Sequence, residues 1–361
     1  MEIRPKCAAT AIGSMPHTDL ERAMEVIFSS VGTVPFWPQL PRRGLHEQME
    51  IQYSEGMPRV VLDEVKGRMY FDTSGDYSED LAAFYEGYLA SEERGDYSAA
   101  VISEDFSAGI PALVERLGRN GGKRDIVKCQ TTGPLSFALT IVDENKRAIF
   151  YNEEFADAVV KSLAMKCRWQ IQKFKTFAEN VICFVDEPIL SAFGSSTFVS
   201  VQRDDVVARL IEVVEAIHEE GAIAGIHCCG NTEWSIPVDS GADIISFDAF
   251  HYGETVSLYP VHMRRHLLEN KNVLAWGLVP SNAAVREQSV QSLLELFERL
   301  SDQLMAKAGV DKQVIVEQAF ITPSCGTGSM SIEDSERVFA ILGETSAALK
   351  ERYGLDTGNN R

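Results

Sequence analysis

The sequence predicts an α/β fold in which parallel strands alternate with helices. Eight short segments rich in β-branched and apolar residues recur along the 361 residues, and most are followed by an amphipathic stretch long enough for a helix. Alternation of this kind predicts a parallel sheet, and eight repeats predict a closed (β/α)8 TIM barrel. A chain of this length with 45% hydrophobic residues can bury the core that such a barrel needs.

The individual elements are predicted from the spacing of apolar residues, which is two in a half-buried strand and three or four in a helix. The predicted strands lie near residues 8–12, 33–39, 126–131, 181–186, 222–228, 243–248, 272–277 and 314–321. The clearest helices are predicted at residues 156–178, 204–219, 289–308 and 331–352.

A charged stretch rich in Tyr and Gly, at about residues 40–124, interrupts this rhythm. We interpret it as an elaboration after the second strand that covers the mouth of the barrel. No repeat, low-complexity tract or clear linker divides the chain. Residues 1–361 are therefore predicted to form a single barrel domain with an insertion.

Composition limits the partners that the protein can have. A formal net charge of −19 repels phosphate backbones, so nucleic acid is excluded as an expected partner, whereas a small zwitterion or a partner protein is not. The cysteines number seven, an odd count, and neither a signal peptide nor an apolar stretch near 18 residues is evident. We therefore expect a reducing cytoplasmic location, no membrane span and no disulfide framework.

Residues with imidazole and sulfur groups follow the ends of two predicted strands. His227 and Cys229 end one strand, and Cys325 comes after the last strand. The carboxyl ends of barrel strands converge on one rim, so these side chains should meet there. They are ligands that Zn²⁺ prefers, and three of them leave a fourth position open. Ordinary packing of buried cysteines is the competing interpretation.

The chemistry expected of such a site depends on what fills the fourth position. A substrate thiol that binds there has its pKa lowered and is held as a thiolate at neutral pH. Such a sulfur can attack a methyl group. The residues therefore predict a zinc-dependent thiol methyltransferase.

Three other residues lie near this predicted metal group in the sequence. Asp248 ends the sixth predicted strand and is a candidate for a weak fourth ligand, or for a group that only orients His227. His251 is a poorer alternative. Strand alternation points Cys228 to the side opposite His227 and Cys229, so it is predicted to be a small buried apolar residue.

Two further motifs predict a site for an α-amino acid beside the metal. Asp186 and Glu187 are adjacent on a strand, so only one of them can face the pocket, where it could hold a substrate ammonium group. The backbone N–H groups of Ile12, Gly13 and Ser14, with the Ser14 hydroxyl, could bind a carboxylate. The alternative for each motif is a residue set that merely shapes a turn.

With these residues in view, the chain resembles the catalytic half of cobalamin-independent methionine synthase. That enzyme belongs to a superfamily that also holds uroporphyrinogen decarboxylase and the methylcobamide:thiol methyltransferases. The shared marks are Ile-Gly-Ser-Met-Pro at 12–16, Thr-Gly-Pro at 132–134, Asp-Glu-Pro at 186–188, His-x-Cys at 227–229 and Cys-Gly at 325–326.

The resemblance implies a (β/α)8 barrel and a zinc ion held by His227, Cys229 and Cys325. It places Asp248 where the synthase has a glutamate ligand, which is a departure from the family pattern. It further implies that homocysteine is the thiol, bound through residues 12–14 and Asp186, and that methionine is the product.

Two other departures concern the methyl donor. The chain lacks the synthase's N-terminal half, which helps to hold the polyglutamate tail of methyltetrahydrofolate. It also lacks the histidine expected after the seventh strand, where it has Trp-Gly-Leu-Val-Pro-Ser at 276–281. A folate amine needs a proton in order to leave, whereas the cobalt of methylcobalamin does not. We therefore expect methylcobalamin, carried by a methylated corrinoid protein, as the donor.

Three alternatives stay open at the level of sequence. The first keeps the zinc and changes the thiol to coenzyme M, as in a methylcobamide:coenzyme M methyltransferase, or to a small acceptor derived from a xenobiotic. The second is a metal-free decarboxylase of the uroporphyrinogen type, which would need a basic pocket. The third is a barrel that only binds a corrinoid protein and catalyses nothing.

Overall fold

A seven-stranded parallel sheet forms the centre of the protein. The computed structural model describes residues 3–119, 121–195, 198 and 200–355. The strands follow the spatial order β1-β9-β8-β7-β6-β5-β4, and every neighbouring pair is parallel. Their bounds are β1 Ala8–Ala9, β4 Arg124–Thr132, β5 Ala178–Asp186, β6 Ile223–Cys228, β7 Ile244–Phe247, β8 Val273–Val279 and β9 Ala319–Pro323. An antiparallel hairpin adds β2 Val60–Asp63 and β3 Arg68–Phe71.

The segment at 33–39, predicted to be a strand, lies between the two edges of this sheet as an extended chain. The Lys128 amide of β4 donates to the Pro35 carbonyl at 2.9 Å, and the Gln39 amide donates to the Gly13 carbonyl at 3.0 Å. Only isolated bridges form, because Pro35 and Pro38 have no amide hydrogen for a ladder. The prediction is therefore confirmed as a parallel α/β barrel-like sheet, but eight regular strands do not close it.

Helices surround the sheet and follow most of its strands. The α-helices are α1 Leu20–Val31, α2 Met49–Gln52, α3 Ser78–Arg94, α4 Gly109–Arg119, α5 Pro134–Thr140, α6 Glu153–Phe174, α7 Arg203–Glu219, α8 Ser235–Asp239, α9 Ala249–Val256, α10 Pro260–Arg264, α11 Val290–Ala308, α12 Lys312–Glu317 and α13 Ile332–Arg352. Within the described ranges, no helix is long and apolar enough to cross a bilayer.

Local capping explains where two of the predicted helices begin. Ser289 and Ser331 precede α11 and α13, and each side-chain oxygen accepts a hydrogen bond from a backbone amide in the first turn. A capping serine satisfies one of the amides that a helix start leaves unpaired. The predictions at 289–308 and 331–352 are therefore confirmed with an offset of one residue at the start.

Two element predictions were wrong at their ends. The helix predicted at 156–178 ends at Phe174, and Ala178 already begins β5. The strand predicted at 314–321 begins at Ala319, because the preceding residues form the short helix α12. Val314, Ile315 and Val316 are β-branched residues typical of strands, but burial of Ile315 and Val316 as one helical turn overrides that preference.

Side chains alternate between the barrel interior and the surrounding helices. One buried cluster fills the interior and contains Ala8, Ile12, Val34, Ile182, Phe184, Ile223, Ile244, Val273, Ala275 and Phe320. The large ring of Phe184 lies against Gly225 on the next strand, where an added Cβ would lie 2.4 Å from the ring. A glycine at 225 therefore lets an aromatic side chain fill the barrel directly below the strand ends.

The insertion at about 40–124 contributes residues to the mouth of the barrel. Met49 and Tyr53 line the pocket at the strand ends. The Tyr53 hydroxyl donates to the Gln130 carbonyl at 3.0 Å, and the Gln39 side-chain amide donates to Gln52 at 3.1 Å. These bonds fix the start of the insertion to the sheet, so it forms one wall of the pocket.

Candidate metal and amino-acid site

A pocket opens at the carboxyl ends of the strands and combines sulfur, imidazole and carboxylate groups. Its cavity volume is about 80 Å³, and the pocket is open to solvent on one side. The residues that line it are Ile12, Gly13, Ser14, Gln39, Met49, Tyr53, Gln130, Thr132, Asp186, Pro188, His227, Cys229, Cys325 and Gly326. Every residue predicted to bind metal or substrate therefore reaches this pocket except Asp248.

The register of three neighbouring strands positions the imidazole. Asp186, His227 and Ser246 are paired across β5, β6 and β7. The His227 Nδ1 atom lies 2.9 Å from the Ser246 hydroxyl. The other ring nitrogen, Nε2, is buried without a hydrogen-bond partner in the described part of the protein. One nitrogen is thus oriented by a neighbour while the other is left for a ligand, as in metal-binding histidines.

The two cysteines lie beside that free nitrogen. Ligand atoms of His227, Cys229 and Cys325 all lie within 4.8 Å of one another. A hydrogen bond from Cys325, with help from His227, lowers the pKa of Cys229 below the usual value of a thiol. The same hydrogen bond and burial raise the pKa of Cys325. The pair therefore favours the thiolate form of Cys229, and the thiolate is the form that binds metal.

These three side chains fit a zinc ion. An imidazole nitrogen and two sulfurs are the donor set of a catalytic zinc site with an open position. The buried Nε2 atom of His227, which has no partner among the described residues, is costly unless something binds it. Within the described ranges, no other set of three or more His, Cys, Asp or Glu residues has its ligand atoms this close together.

Substitution of Ser246 by alanine should weaken metal binding without removing a ligand. The Nδ1 atom of His227 loses its hydroxyl partner in this variant, so the imidazole ring is free to rotate. We expect the zinc affinity to fall by roughly 10- to 100-fold, as measured by competition with a chelator. Ser240→Ala is the matched control, because Ser240 is also buried and, among the described residues, its hydroxyl bonds only to the Ile236 carbonyl. Equal affinities of the two variants would contradict the orienting role.

Cys228 lies on the opposite face of β6, as predicted. It belongs to the large cluster between the sheet and the helices, and burial raises its pKa to about 12. The remaining cysteines, which are Cys7, Cys129, Cys167 and Cys183, are also buried in that cluster. Their sulfurs therefore pack in the core and do not reach the pocket.

Asp248 has a different set of partners from the one predicted. It caps the start of α9, where one carboxylate oxygen accepts from the His251 amide at 2.9 Å. The other oxygen lies 2.7 Å from the His251 Nδ1 atom. As a metal ligand Asp248 stays a prediction, and binding metal would require one of these oxygens to leave His251.

The paired carboxylates at 186 and 187 divide their roles. Asp186 lines the pocket, and its Oδ1 atom is buried without a partner among the described residues. Burial raises the pKa of Asp186 to about 6, although His227 and Lys128 oppose the shift. A carboxylate at this position is available to a cationic ligand group.

Glu187 faces away from the pocket and is fully buried. Its carboxylate accepts hydrogen bonds from the Leu135 amide at 2.8 Å and from the Ser136 amide and hydroxyl at 2.8 and 2.7 Å. Burial raises the pKa of Glu187 to about 7 against the effect of these bonds. An added Cβ on Gly133 would lie 2.1 Å from the carboxyl carbon. The Thr-Gly-Pro motif therefore makes room for this carboxylate at the start of α5.

Replacement of Glu187 by alanine should lower stability and spare the metal. It leaves two amides and one hydroxyl at the start of α5 without an acceptor. We expect the free energy of unfolding to fall by on the order of 3 kcal/mol, as measured by denaturant titration, with zinc content unchanged. An unchanged unfolding midpoint would show that this carboxylate does not hold α5.

The turn at 12–14 is tied to the loop that carries Cys325. The Ser14 carbonyl accepts from the Thr327 amide at 2.8 Å, and the Ser14 hydroxyl accepts from the Gly328 amide at 3.3 Å. A Cβ on Gly326 would lie 2.2 Å from the Ser14 Oγ atom. This close contact sets the turn at 12–14 directly beside the loop that carries Cys325.

Sequence reasoning missed several residues of the site. Ser246 lies on the same face of β7 as Asp248, and strand alternation could have indicated that it reaches His227. Gln130 was not missed, because it lies near the end of the strand predicted at 126–131, where side chains should converge on this rim, and it lines the pocket. Tyr53 carried no usable signal, because it lies in the insertion and reaches the pocket only through the tertiary fold.

Comparison with known proteins adds information on the fold. No family model matches this sequence, and no curated protein is significantly similar to it. The structure is similar to that of a methyltransferase from Methanosarcina mazei, with a TM-score of 0.54 at 12% identity. The similarity covers 95% of this chain and 94% of the other. The two proteins therefore share a fold along nearly their whole length.

Proposed function

We propose that the protein is a zinc-dependent methyltransferase that moves a methyl group to the thiol of homocysteine, giving methionine. One observation carries the proposal. The ligand atoms of His227, Cys229 and Cys325 lie within 4.8 Å of one another, at a pocket that Asp186 also lines. The fold shared with a methyltransferase from Methanosarcina mazei supports the reaction class. We also propose that the barrel belongs to the same superfamily as cobalamin-independent methionine synthase.

Each group in the pocket has a task in this proposal. A bound zinc ion would lower the pKa of the substrate thiol and favour its thiolate form. Asp186 holds the substrate ammonium group, and the turn at 12–14 holds the carboxylate, so the sulfur is directed toward the metal ligands. Met49 and Tyr53 of the insertion line the pocket beside these groups.

The reaction is a direct displacement at the methyl carbon. The thiol loses its proton to solvent, and its sulfur forms a bond to the methyl carbon. The bond between that carbon and the donor breaks at the same time, and its electron pair leaves with the donor. The protein's own groups position the sulfur and the methyl carbon for this exchange.

A methylated corrinoid protein is the donor that we propose, and methyltetrahydrofolate is the alternative. Residues 276–281 at the end of β8 contain no histidine, and folate would need an acid there. The structure does bring one imidazole near this strand end, because His251 Nε2 lies 3.4 Å from the Asn282 side-chain nitrogen. His251 is therefore the imidazole that would serve as the acid if methyltetrahydrofolate were the donor.

A metal assay combined with donor competition tests the proposal. Purified protein should retain zinc and demethylate methylcobalamin only when homocysteine is present. Methyltetrahydrofolate offered in place of methylcobalamin separates the two donors. Full transfer activity by a metal-free preparation would contradict the proposal.

Coenzyme M is the second candidate for the thiol, and the pocket argues against it. Coenzyme M has no ammonium group, so it leaves the buried Asp186 carboxylate without a cationic partner, whereas homocysteine supplies one. A decarboxylase of the uroporphyrinogen type is disfavoured for a related reason. None of the described lining residues is a lysine or an arginine, although such a substrate carries several carboxylates. Homocysteine and coenzyme M assayed side by side distinguish the two thiols.

A further inference from the structure

A buried lysine lies below the pocket and is not used by the mechanism above. Lys128 on β4 is 0% exposed, and its Nζ atom donates to the Ile12 carbonyl at 2.8 Å and to Gln130 Oε1 at 3.2 Å. The ammonium group also lies 4.6 Å from the centre of the Phe184 ring. Among the described residues it has no carboxylate within ion-pairing distance. A buried charge without such a partner is costly, so a compensating role is expected.

The contact with Ile12 determines the direction of the next amide. A trans peptide is planar, so its C=O and N–H groups point in opposite directions, and the structure has no cis peptide among the described residues. Since Lys128 holds the Ile12 carbonyl toward the barrel interior, the Gly13 N–H points away from the interior. In the described structure neither the Gly13 nor the Ser14 amide donates to a protein acceptor. Both residues line the pocket.

The charge of Lys128 also matters because the protein as a whole is acidic. A net charge of −19 repels a substrate carboxylate unless a local positive charge opposes it. No lysine or arginine lines the pocket among the described residues, so Lys128 beneath it is the cation that can serve. Burial lowers the pKa of Lys128 to about 8, and Asp186 opposes that shift. The ammonium form is retained at neutral pH.

We propose that Lys128 is a positioning residue that makes the pocket selective for thiols carrying an α-carboxylate. It fixes the Ile12–Gly13 peptide with its amide toward the substrate and supplies positive charge below that amide. With Asp186 it gives the pocket one negative and one positive centre, which match a zwitterionic amino acid. This inference rests on the proposed function, because it concerns how that site recognises its thiol.

Binding of three thiols to the zinc-loaded protein, measured by calorimetry, tests the inference. Homocysteine carries both charged groups, 3-aminopropane-1-thiol lacks the carboxylate, and 4-mercaptobutanoate lacks the amine. Lys128→Met should lower the affinity for homocysteine by about 10- to 100-fold. It should lower the affinity for 3-aminopropane-1-thiol by less than about 3-fold. Lys128→Arg should restore part of the loss. Lys166→Met is the matched control, because Lys166 is also fully buried but lies on α6, with its Nζ atom 3.5 Å from the Val101 carbonyl.

The outcomes separate the two proposals. Equal weakening of homocysteine and 3-aminopropane-1-thiol in Lys128→Met would reduce Lys128 to a structural residue. Wild-type protein that binds both thiols equally well would also overturn the inference and would leave thiol methylation intact. Wild-type protein that holds zinc but binds none of the three thiols would overturn the proposed function as well. The wild-type comparison needs no variant, so it holds even if Lys128→Met does not fold.

Discussion

Replacement of Cys325 by serine should remove zinc retention and methyl transfer together. Cys325 supplies one of only two sulfurs in the group whose ligand atoms lie within 4.8 Å of one another. Loss of a residue that merely orients a ligand costs about 10- to 100-fold in metal affinity, so loss of a ligand should exceed roughly 100-fold. Zinc per chain after dialysis and the rate of homocysteine methylation measure the two effects.

The control for this variant is Cys228→Ala. Cys228 is adjacent to Cys229 in the chain, but it is 1% exposed and packs on the other face of β6. We expect this variant to keep zinc and activity at the wild-type level. A Cys325→Ser protein that retained both would contradict the assignment of the metal site. Equal loss in the two variants would show instead that the effect comes from misfolding.

Asp186→Asn should weaken the binding of homocysteine and leave zinc in place. Asp186 is the carboxylate in the pocket, and its Oδ1 atom has no partner in the described structure. In the complex, this carboxylate would pair with the ammonium group of homocysteine. Removal of one member of such a buried charge pair costs about 2 kcal/mol or more, which corresponds to a fall of roughly 30-fold in affinity. Calorimetry on the zinc-loaded variant measures this fall, and 4-mercaptobutanoate, which lacks the amine, should bind as it does to wild type.

The titration of Asp186 should also make the binding of homocysteine depend on pH. The pKa of Asp186 in the folded protein is raised to about 6, so the carboxyl is neutral below that pH and charged above it. The affinity for homocysteine should therefore fall as the pH drops through about 6. Both thiols bind at the same metal site, so comparison with 4-mercaptobutanoate removes the part of the pH dependence that comes from the metal ligands. An identical pH dependence for the two thiols would show that Asp186 does not bind the ammonium group.

Periodicity and strand ends predict the metal group well for a simple reason. His227 and Cys229 are two residues apart on one strand, so alternation places them on the same face, and Cys325 follows a strand whose end meets the same rim. The same reasoning separates Asp186 from Glu187, and in the structure one lines the pocket while the other caps α5. These conclusions need only local geometry and the barrel architecture.

Other features depend on contacts that no local pattern contains. Lys128 reaches Ile12 across 116 positions of the chain, and Tyr53 reaches the pocket from the insertion. Asp248 was predicted as a metal ligand from its place at a strand end, yet it is also the residue before a helix. The capping preference of aspartate competes with metal binding there, and the structure shows the cap.

The boundary errors have equally local causes. The segment at 33–39 has the apolar composition of a strand, but two prolines remove the amides that a regular ladder needs. The run from Val314 to Val316 has the β-branched composition of a strand, but it is buried as a helical turn before β9. In both cases the apolar pattern identified a buried segment correctly and could not specify its hydrogen bonding.

X-ray absorption at the zinc edge, recorded with and without homocysteine, tests the central claim most directly. We predict that the purified protein holds zinc through one nitrogen and two sulfur ligands, supplied by His227, Cys229 and Cys325. One further sulfur should join them when homocysteine is added. A protein that retains no zinc, or a sulfur count that stays the same at saturating homocysteine, would contradict the account.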